Sequence, residues 1–466
     1  MVLEITQDTF NSAVKENVEI LGLTEEEAVE EAVKQFESQG VDLSKIIKES
    51  MSKAEFNEIS ESVRKLEELQ NSKKASDALN ETLTTLRLEC EKGLQHKVEA
   101  GKIGAYNILL NICENNTDKS VEANTLRTLT ALMTKQPDLL DDRGVAFIIN
   151  SLKDKQLDYE IVRLLFRWTK ECCVMHEKNR QLIYDAHILD ILKEYLKEHV
   201  PTELIREALS VCRALVLDDD VRVEFGRAHE HARVIASETL CSLMDLLSKF
   251  RGEELLNFDI LLTLTSLMVR TEFCKKVEDA NGLELIKSVM HTYSHNEKIV
   301  RQCFKLLKSL AGNDECKVHI VQHGFVPVII QSLTPTTYCA TTVTAGLSCV
   351  AALTLRSPEN SKALFDHGIT QVIINIMKQH ADQKEVQKTG SWAIRNMVSR
   401  SKYQCKTFLD LGAEEVLQKA LKSFKNIEYD IKAALRDLGC KVKLKEEWTG
   451  KGGALTTGLT NLNVDD

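Results

Sequence analysis

The chain has 466 residues, with 60 Lys and Arg against 70 Asp and Glu, and a formal net charge of −10. That balance excludes a general affinity for nucleic acid or anionic lipid, which needs basic surface. No stretch reaches the roughly 18 apolar residues of a membrane span, and MVLEITQDTF lacks the basic-then-apolar opening of a signal peptide. With only 5 Pro and 20 Gly there are few helix breaks. Val, Ile and aromatic residues form no alternating runs, so the sequence predicts helices and no sheet. The 13 cysteines, an odd number without C-x-x-C, lie scattered in helical segments. They read as small buried hydrophobes in a reducing compartment, cytosol or nucleus.

Residues 1–75 read as an acidic helical extension. Thr24 to Glu27 forms a capping box, and Gly40 is a helix stop. Helices continue with Val63, Leu66, Leu69, Leu79, Leu83 and Leu86 on apolar faces. From 76 to 445 one sentence recurs: a helix ends, a small residue turns the chain, and an apolar helix follows. The turns fall at Gly104, Gly144, His187, Gly282, Gly324, Gly368 and Gly412. The last four are spaced 42, 44 and 44 residues apart, a period characteristic of armadillo or HEAT arrays. From His187 to Gly282 is 95 residues, two periods with about nine residues to spare. The surplus falls in DDDVRVEFGRAHEHARVIASE, 218–238, so one repeat carries an insertion. The tail, 446–466, is Gly- and Thr-rich without hydrophobic period and reads as disordered. The whole predicts an all-α, right-handed superhelical solenoid of about eight repeats.

The order and spacing resemble the armadillo repeat, which implies that the last helix of each unit lines a concave groove. In importin-alpha that groove carries a ladder of Trp and Asn one helical turn apart. Here Trp392 and Asn396 have that spacing. The equivalent positions elsewhere hold Ser348/Ala352, Phe304/Lys308, Leu262/Ser266, Arg167/Glu171 and Asn124/Thr128, so the pair occurs once. That counts against an importin-alpha-like cargo adaptor, which stays as the alternative. Local packing competes with groove binding for Trp392, and Trp168 reads as core. The same helices carry Arg163, Arg167, Arg206, Arg213, Arg301, Lys305, Lys308 and Arg395. Such a line either receives an acidic extended peptide or is ordinary solvated helix surface. The expected partner-binding residues are Trp392, Arg395, Asn396, Phe304, Lys308 and Arg301.

No phosphate loop, dinucleotide fingerprint, zinc-protease or nucleophile-elbow motif is present. The sequence therefore predicts no enzyme, no cofactor and no metal. His229 and His231, in the inserted AHEHAR, supply two ligands where structural zinc takes four. They read either as polar loop residues or as a modification site. His-x-His resembles the motif read by a class of protein histidine methyltransferases, a possible partner, although Glu230 stands where that class favours a small residue.

Several phrases are more specific: EEAVEEAVKQFESQGVDLSKI (26–46), QPDLLD (136–141), LDDDVRVEFGRAHEHA (217–232), AGNDECK (311–317), LDLGAE (409–414) and KAALRDLGC with the later WTG (432–450). These resemble the armadillo repeat-containing protein 6 family over most of the chain. The resemblance implies a soluble, intracellular, non-enzymatic repeat protein with a His-x-His at the corresponding insertion.

Overall fold

The computed structural model describes residues 3–5, 7–43, 46–48, 53–70, 76–154, 158–335, 338–445 and 454–457. The chain divides into two compact units, 1–235 and 236–466.

Unit 1 opens with a parallel pair, β1 (Leu3–Glu4) and β2 (Val41–Asp42), around a helical hairpin of α1 (Gln7–Leu21) and α2 (Glu25–Ser38). Thr24 caps α2, and Glu27 returns the bond to the Thr24 backbone, closing the expected box. Gly40 follows the helix at φ 76°, as a left-handed stop requires. Phe10, Ala32, Val41, Leu43 and Ile46 form a small core of their own. Next come α3 (Lys53–Leu69) and α4 (Ser76–Lys92).

Repeats follow, each two short helices and a longer third. They are α5 (Leu94–Lys102), α6 (Ala105–Asn115) and α7 (Lys119–Met133), then α8 (Asp142–Lys153) and α9 (Tyr159–Cys173) behind a 3-10 turn, then α10 (Glu177–Asp185), α11 (Ile188–Tyr195) and α12 (Thr202–Ala214). The boundary between units falls inside α13 (Ala228–Lys249), which replaces the two short helices of its repeat and precedes α14 (Glu254–Leu267).

Unit 2 continues with α15 (Thr271–Asp279), α16 (Gly282–Thr292) and α17 (Glu297–Leu310), and α18 (Asp314–Gln322), α19 (Phe325–Leu333) and α20 (Ala340–Thr354). After them come α21 (Pro358–Asp366), α22 (Ile369–Gln379) and α23 (Lys384–Val398), and finally α24 (Cys405–Asp410), α25 (Ala413–Ser423) and α26 (Glu428–Leu438).

α8 is entered through Asp141 at φ −118°, so Gly144 lies in its first turn and not at the expected chain turn. The turn into every other second helix takes a positive φ, which glycine adopts without a Cβ clash. Gly104, Gly324, Gly368 and Gly412 do so, while His187 and Asn281 carry the same conformation at φ 66° and 59°. Gly282 is thus displaced from its expected turn position by one residue. It starts α16, where a Cβ would lie 2.4 Å from the Val277 carbonyl oxygen.

Third helices stack on one another, α4–α7–α9–α12 in unit 1 and α14–α17–α20–α23–α26 in unit 2. Their buried residues recur at helical spacing, as with Val300, Cys303, Phe304 and Leu307 in α17. Small residues set the approach: a Cβ on Gly390 would meet the Met377 sulfur at 2.6 Å. Trp168 is fully buried, its indole N–H directed at the Met133 sulfur.

The expectation of no sheet is corrected at both ends. Besides β1 and β2, β3 (Val442–Lys445) pairs antiparallel with β4 (Ala454–Thr457). Four residues of the expected disordered tail therefore form a strand, because backbone pairing with β3 supplies the order that side-chain periodicity did not signal. The remaining tail residues, 446–453 and 458–466, lie outside the described residues.

Candidate functional site

The third helices carry the candidate site, and charge distinguishes α17, α20 and α23 of unit 2 from α7, α9 and α12 of unit 1. In unit 1, α7, α9 and α12 together hold seven Lys or Arg against five Glu. These charges largely cancel in place. Arg127 and Arg163 both bond Glu160, Arg167 donates to Glu207 at 2.6 Å, and Arg206 and Arg213 are engaged as well.

In unit 2, α17, α20 and α23 hold seven Lys or Arg against two Glu. Glu297 accepts the Cys339 backbone N–H at 2.9 Å, and Glu385 sits beside Lys384. Lys305 and Lys308 are exposed, and among the described residues no carboxylate pairs with either. Arg301 lies one turn before Lys305 and donates to the Thr341 hydroxyl at 2.9 Å. Between α17 and α23, α20 carries no charge at all (ATTVTAGLSCVAALT).

On α23 the expected Trp–Asn pair is present and partly buried, with its donors in use. Trp392 Nε1 donates to Asp430 Oδ1 at 2.8 Å, and the Lys388 ammonium sits 5.1 Å from the ring centroid. Asn396 Nδ2 donates to the Ala351 carbonyl at 2.8 Å, clamping α23 to α20. Thr128, at the matching place in unit 1, donates to the Leu83 carbonyl in the same way. Arg395 approaches Asp437 at 3.5 Å.

Phe304 is a correction. It is fully buried, and its ring is the near neighbour of Gly346 on α20. Position 304 falls on the apolar stripe of α17, whereas Arg301, Lys305 and Lys308 share the polar one.

The insertion occupies residues 215–227, where neighbouring connections such as 174–176 use three residues. Buried charges hold it down. Arg180, 1% exposed, bonds Glu177, the Cys173 carbonyl and Asp219. Asp220 accepts the Glu177 backbone N–H at 2.9 Å and the Arg222 guanidinium, which reaches on to Asp138. Glu177 Oε1 accepts the Arg227 backbone N–H at 2.6 Å beside Gly226, where a Cβ would meet that carboxylate at 2.9 Å. Burial raises the Asp220 carboxyl, but Arg222 and the Glu177 N–H outweigh it and lower it to about 2.

His229 and His231, expected in a loop, lie in the opening of α13. Two positions apart on a helix, they point to different faces. His229 is exposed, whereas His231 is fully buried. His231 stacks on Tyr184 at 3.9 Å, its Nδ1 is 3.1 Å from the Leu215 carbonyl, and its Nε2 has no hydrogen-bond partner among the described residues. A carbonyl accepts only, so Nδ1 carries the proton. Burial holds this imidazole below its usual pKa, against the opposing Leu215 bond.

No group of three or more His, Cys, Asp or Glu among the described residues is arranged to hold a metal ion. No described helix is long and apolar enough to cross a membrane.

Two family models match the chain: ARMC6 over residues 57–457, and the Armadillo repeat-containing protein 6 N-terminal domain over 3–75. The Armadillo repeat-containing protein 6 homolog of Drosophila melanogaster is 43% identical across 97% of this chain and 98% of its own length. Armadillo repeat-containing protein 6 of Homo sapiens is 33% identical across 97% of this chain and 94% of its own. Among solved structures, an engineered protein superposes with a TM-score of 0.67 at 20% identity, covering 91% of this chain and 98% of that one. A structure from work on the interaction between cadherin and beta-catenin gives 0.53 at 14% identity, covering 80% and 70%. At these identities the two structures establish an armadillo-type fold.

Proposed function

The chain belongs to the armadillo repeat-containing protein 6 family, and on that premise we propose that it is a non-enzymatic interaction scaffold whose unit 2 binds an acidic, extended segment of a protein partner. The observation that carries this reading is the cationic excess on α17, α20 and α23, seven cations against two acids, within which Lys305 and Lys308 have no carboxylate partner among the described residues. Equivalent helices in unit 1 neutralise their own cations. Lys305 and Lys308 supply long-range attraction, Arg301 a planar fork for a carboxylate, and the uncharged face of α20 a floor that admits a backbone. The Oδ1 of Asn396 is available to accept a backbone N–H. A cargo adaptor for basic signals fits poorly, since the same cations would repel such a cargo.

The experiment is a titration of a fluorescein-labelled, Glu-rich 15-residue peptide against the full chain, followed by anisotropy. Lys305→Glu with Lys308→Glu should weaken binding at least tenfold, and binding should fall as salt rises. Equal affinity for a Lys-rich peptide would overturn the reading.

Exposure favours a second, narrower reading at the insertion. His229 is the accessible imidazole of the His-x-His pair, so modification by a histidine methyltransferase falls there and spares His231. Peptide mass analysis of 228–233 tests it: one methyl mass on His229 supports it, and a methyl on His231 contradicts it.

A further inference from the structure

The inserted loop turns three apolar side chains outward within five residues. Val221 is 46% exposed, Val223 37% and Phe225 85%. Single exposed apolar residues need no explanation, but a cluster on a surface loop marks an interaction site. The loop is not needed to close the array, because three residues make the same connection in neighbouring repeats. Nor is it loosely attached. Arg180, Glu177 and Asp220 are nearly or fully removed from water beneath it, and burying such charges costs free energy even when they are paired. The chain thus fixes the loop in one conformation and presents Phe225 pre-ordered, which lowers the entropic cost of binding.

The charge around these side chains selects the occupant. Arg222 is neutralised by Asp220 and Asp138, and Arg227 by Asp185 and Glu230. Asp218 and Glu224 are exposed and, among the described residues, have no cation beside them. The apolar tip is therefore flanked by free negative charge, which disfavours an anionic membrane and also a second copy of the same loop. We infer that this loop is a docking knob for a folded protein whose apolar cleft receives Phe225 and whose rim carries Lys or Arg opposite Asp218 and Glu224. This surface is independent of the basic row of unit 2.

The test places the photo-cross-linker p-benzoylphenylalanine at position 225 of the full chain in cells. The protein it captures is identified, purified and titrated against wild type, Phe225→Ala and Glu224→Lys. Because both side chains are exposed, the variants should keep the wild-type melting temperature. The knob predicts a cross-link inside an apolar cleft with basic residues at its edge. It also predicts about tenfold or greater weakening for Phe225→Ala, with a smaller, salt-dependent loss for Glu224→Lys. Cross-links only to lipid or to another copy of the chain, no cross-link, or a purified protein that binds Phe225→Ala as tightly as wild type would each overturn it.

Discussion

Individual side chains divide sharply by which stripe of a helix they occupy. Phe304 and Lys308 are a turn apart on α17, yet one is sealed in the core and the other faces water. Phe304→Ala should therefore cost about 3–5 kcal/mol of stability, measurable by chemical denaturation, while Lys308→Ala should cost almost nothing. Spacing between repeats gives 304 and 308 equivalent groove positions, but it carries no information on the phase of the helix. Phase was readable from Val300, Cys303 and Leu307, which put 304 on the apolar side. His231 is the second residue-scale case. Its folded pKa is depressed by burial, so the unfolded chain binds more protons as pH drops. The stabilisation is complete above the unfolded value of about 6.5 and is lost as pH falls from there through the folded value. An NMR titration should find His231 protonating below about 6.5; a value above that would contradict its burial.

At the scale of elements, the short turns were legible because a left-handed residue between two helices leaves a glycine behind it. They were less legible where Asn281 or His187 takes that conformation with a Cβ. The insertion was located by the break in repeat spacing, but its clasp was not. That clasp joins residues as distant as Arg222 and Asp138, and no local pattern reports a pairing 84 residues apart. The fusion of two short helices into α13 likewise moved both histidines from loop to helix. The clasp has a pH signature of its own. The Asp220 carboxyl lies at about 2 in the folded chain and near 3.9 when unfolded. Its contribution is present above about pH 4 and disappears as pH falls through about 2. Amide exchange over 215–227 should accelerate across that window, and Asp220→Asn should remove much of the acceleration. Packing between elements offers another check. Gly346 stands where a Cβ would meet Leu333 Cδ2 at 2.4 Å. Gly346→Ala should therefore destabilise unit 2 by about 1–3 kcal/mol through overpacking, read as a lowered denaturation midpoint.

For the molecule as a whole, composition and period were enough to reach an all-α repeat array, because each repeat needs its neighbours to cover an apolar face and so repeats its pattern. The two short sheets were not, since the paired segments are only two to four residues long, too short for even the alternation of Val442–Lys445 to stand out. Net charge was the least informative quantity. A total of −10 conceals the cationic excess of α17, α20 and α23, and only pairing of the cations with their neighbours exposes it. One separation is decisive: α7, α9 and α12 largely cancel their cations, and α17 leaves Lys305 and Lys308 without a carboxylate partner among the described residues. The measurement that tests it most directly is the affinity of the Glu-rich peptide for the wild-type chain and two charge variants. One reverses Lys305 and Lys308, and the other reverses Arg163 and Arg167. Loss of binding only on reversal in unit 2, with a steep salt dependence in the wild type, is the predicted result. Equal loss from both variants, or binding indifferent to either, would contradict the assignment.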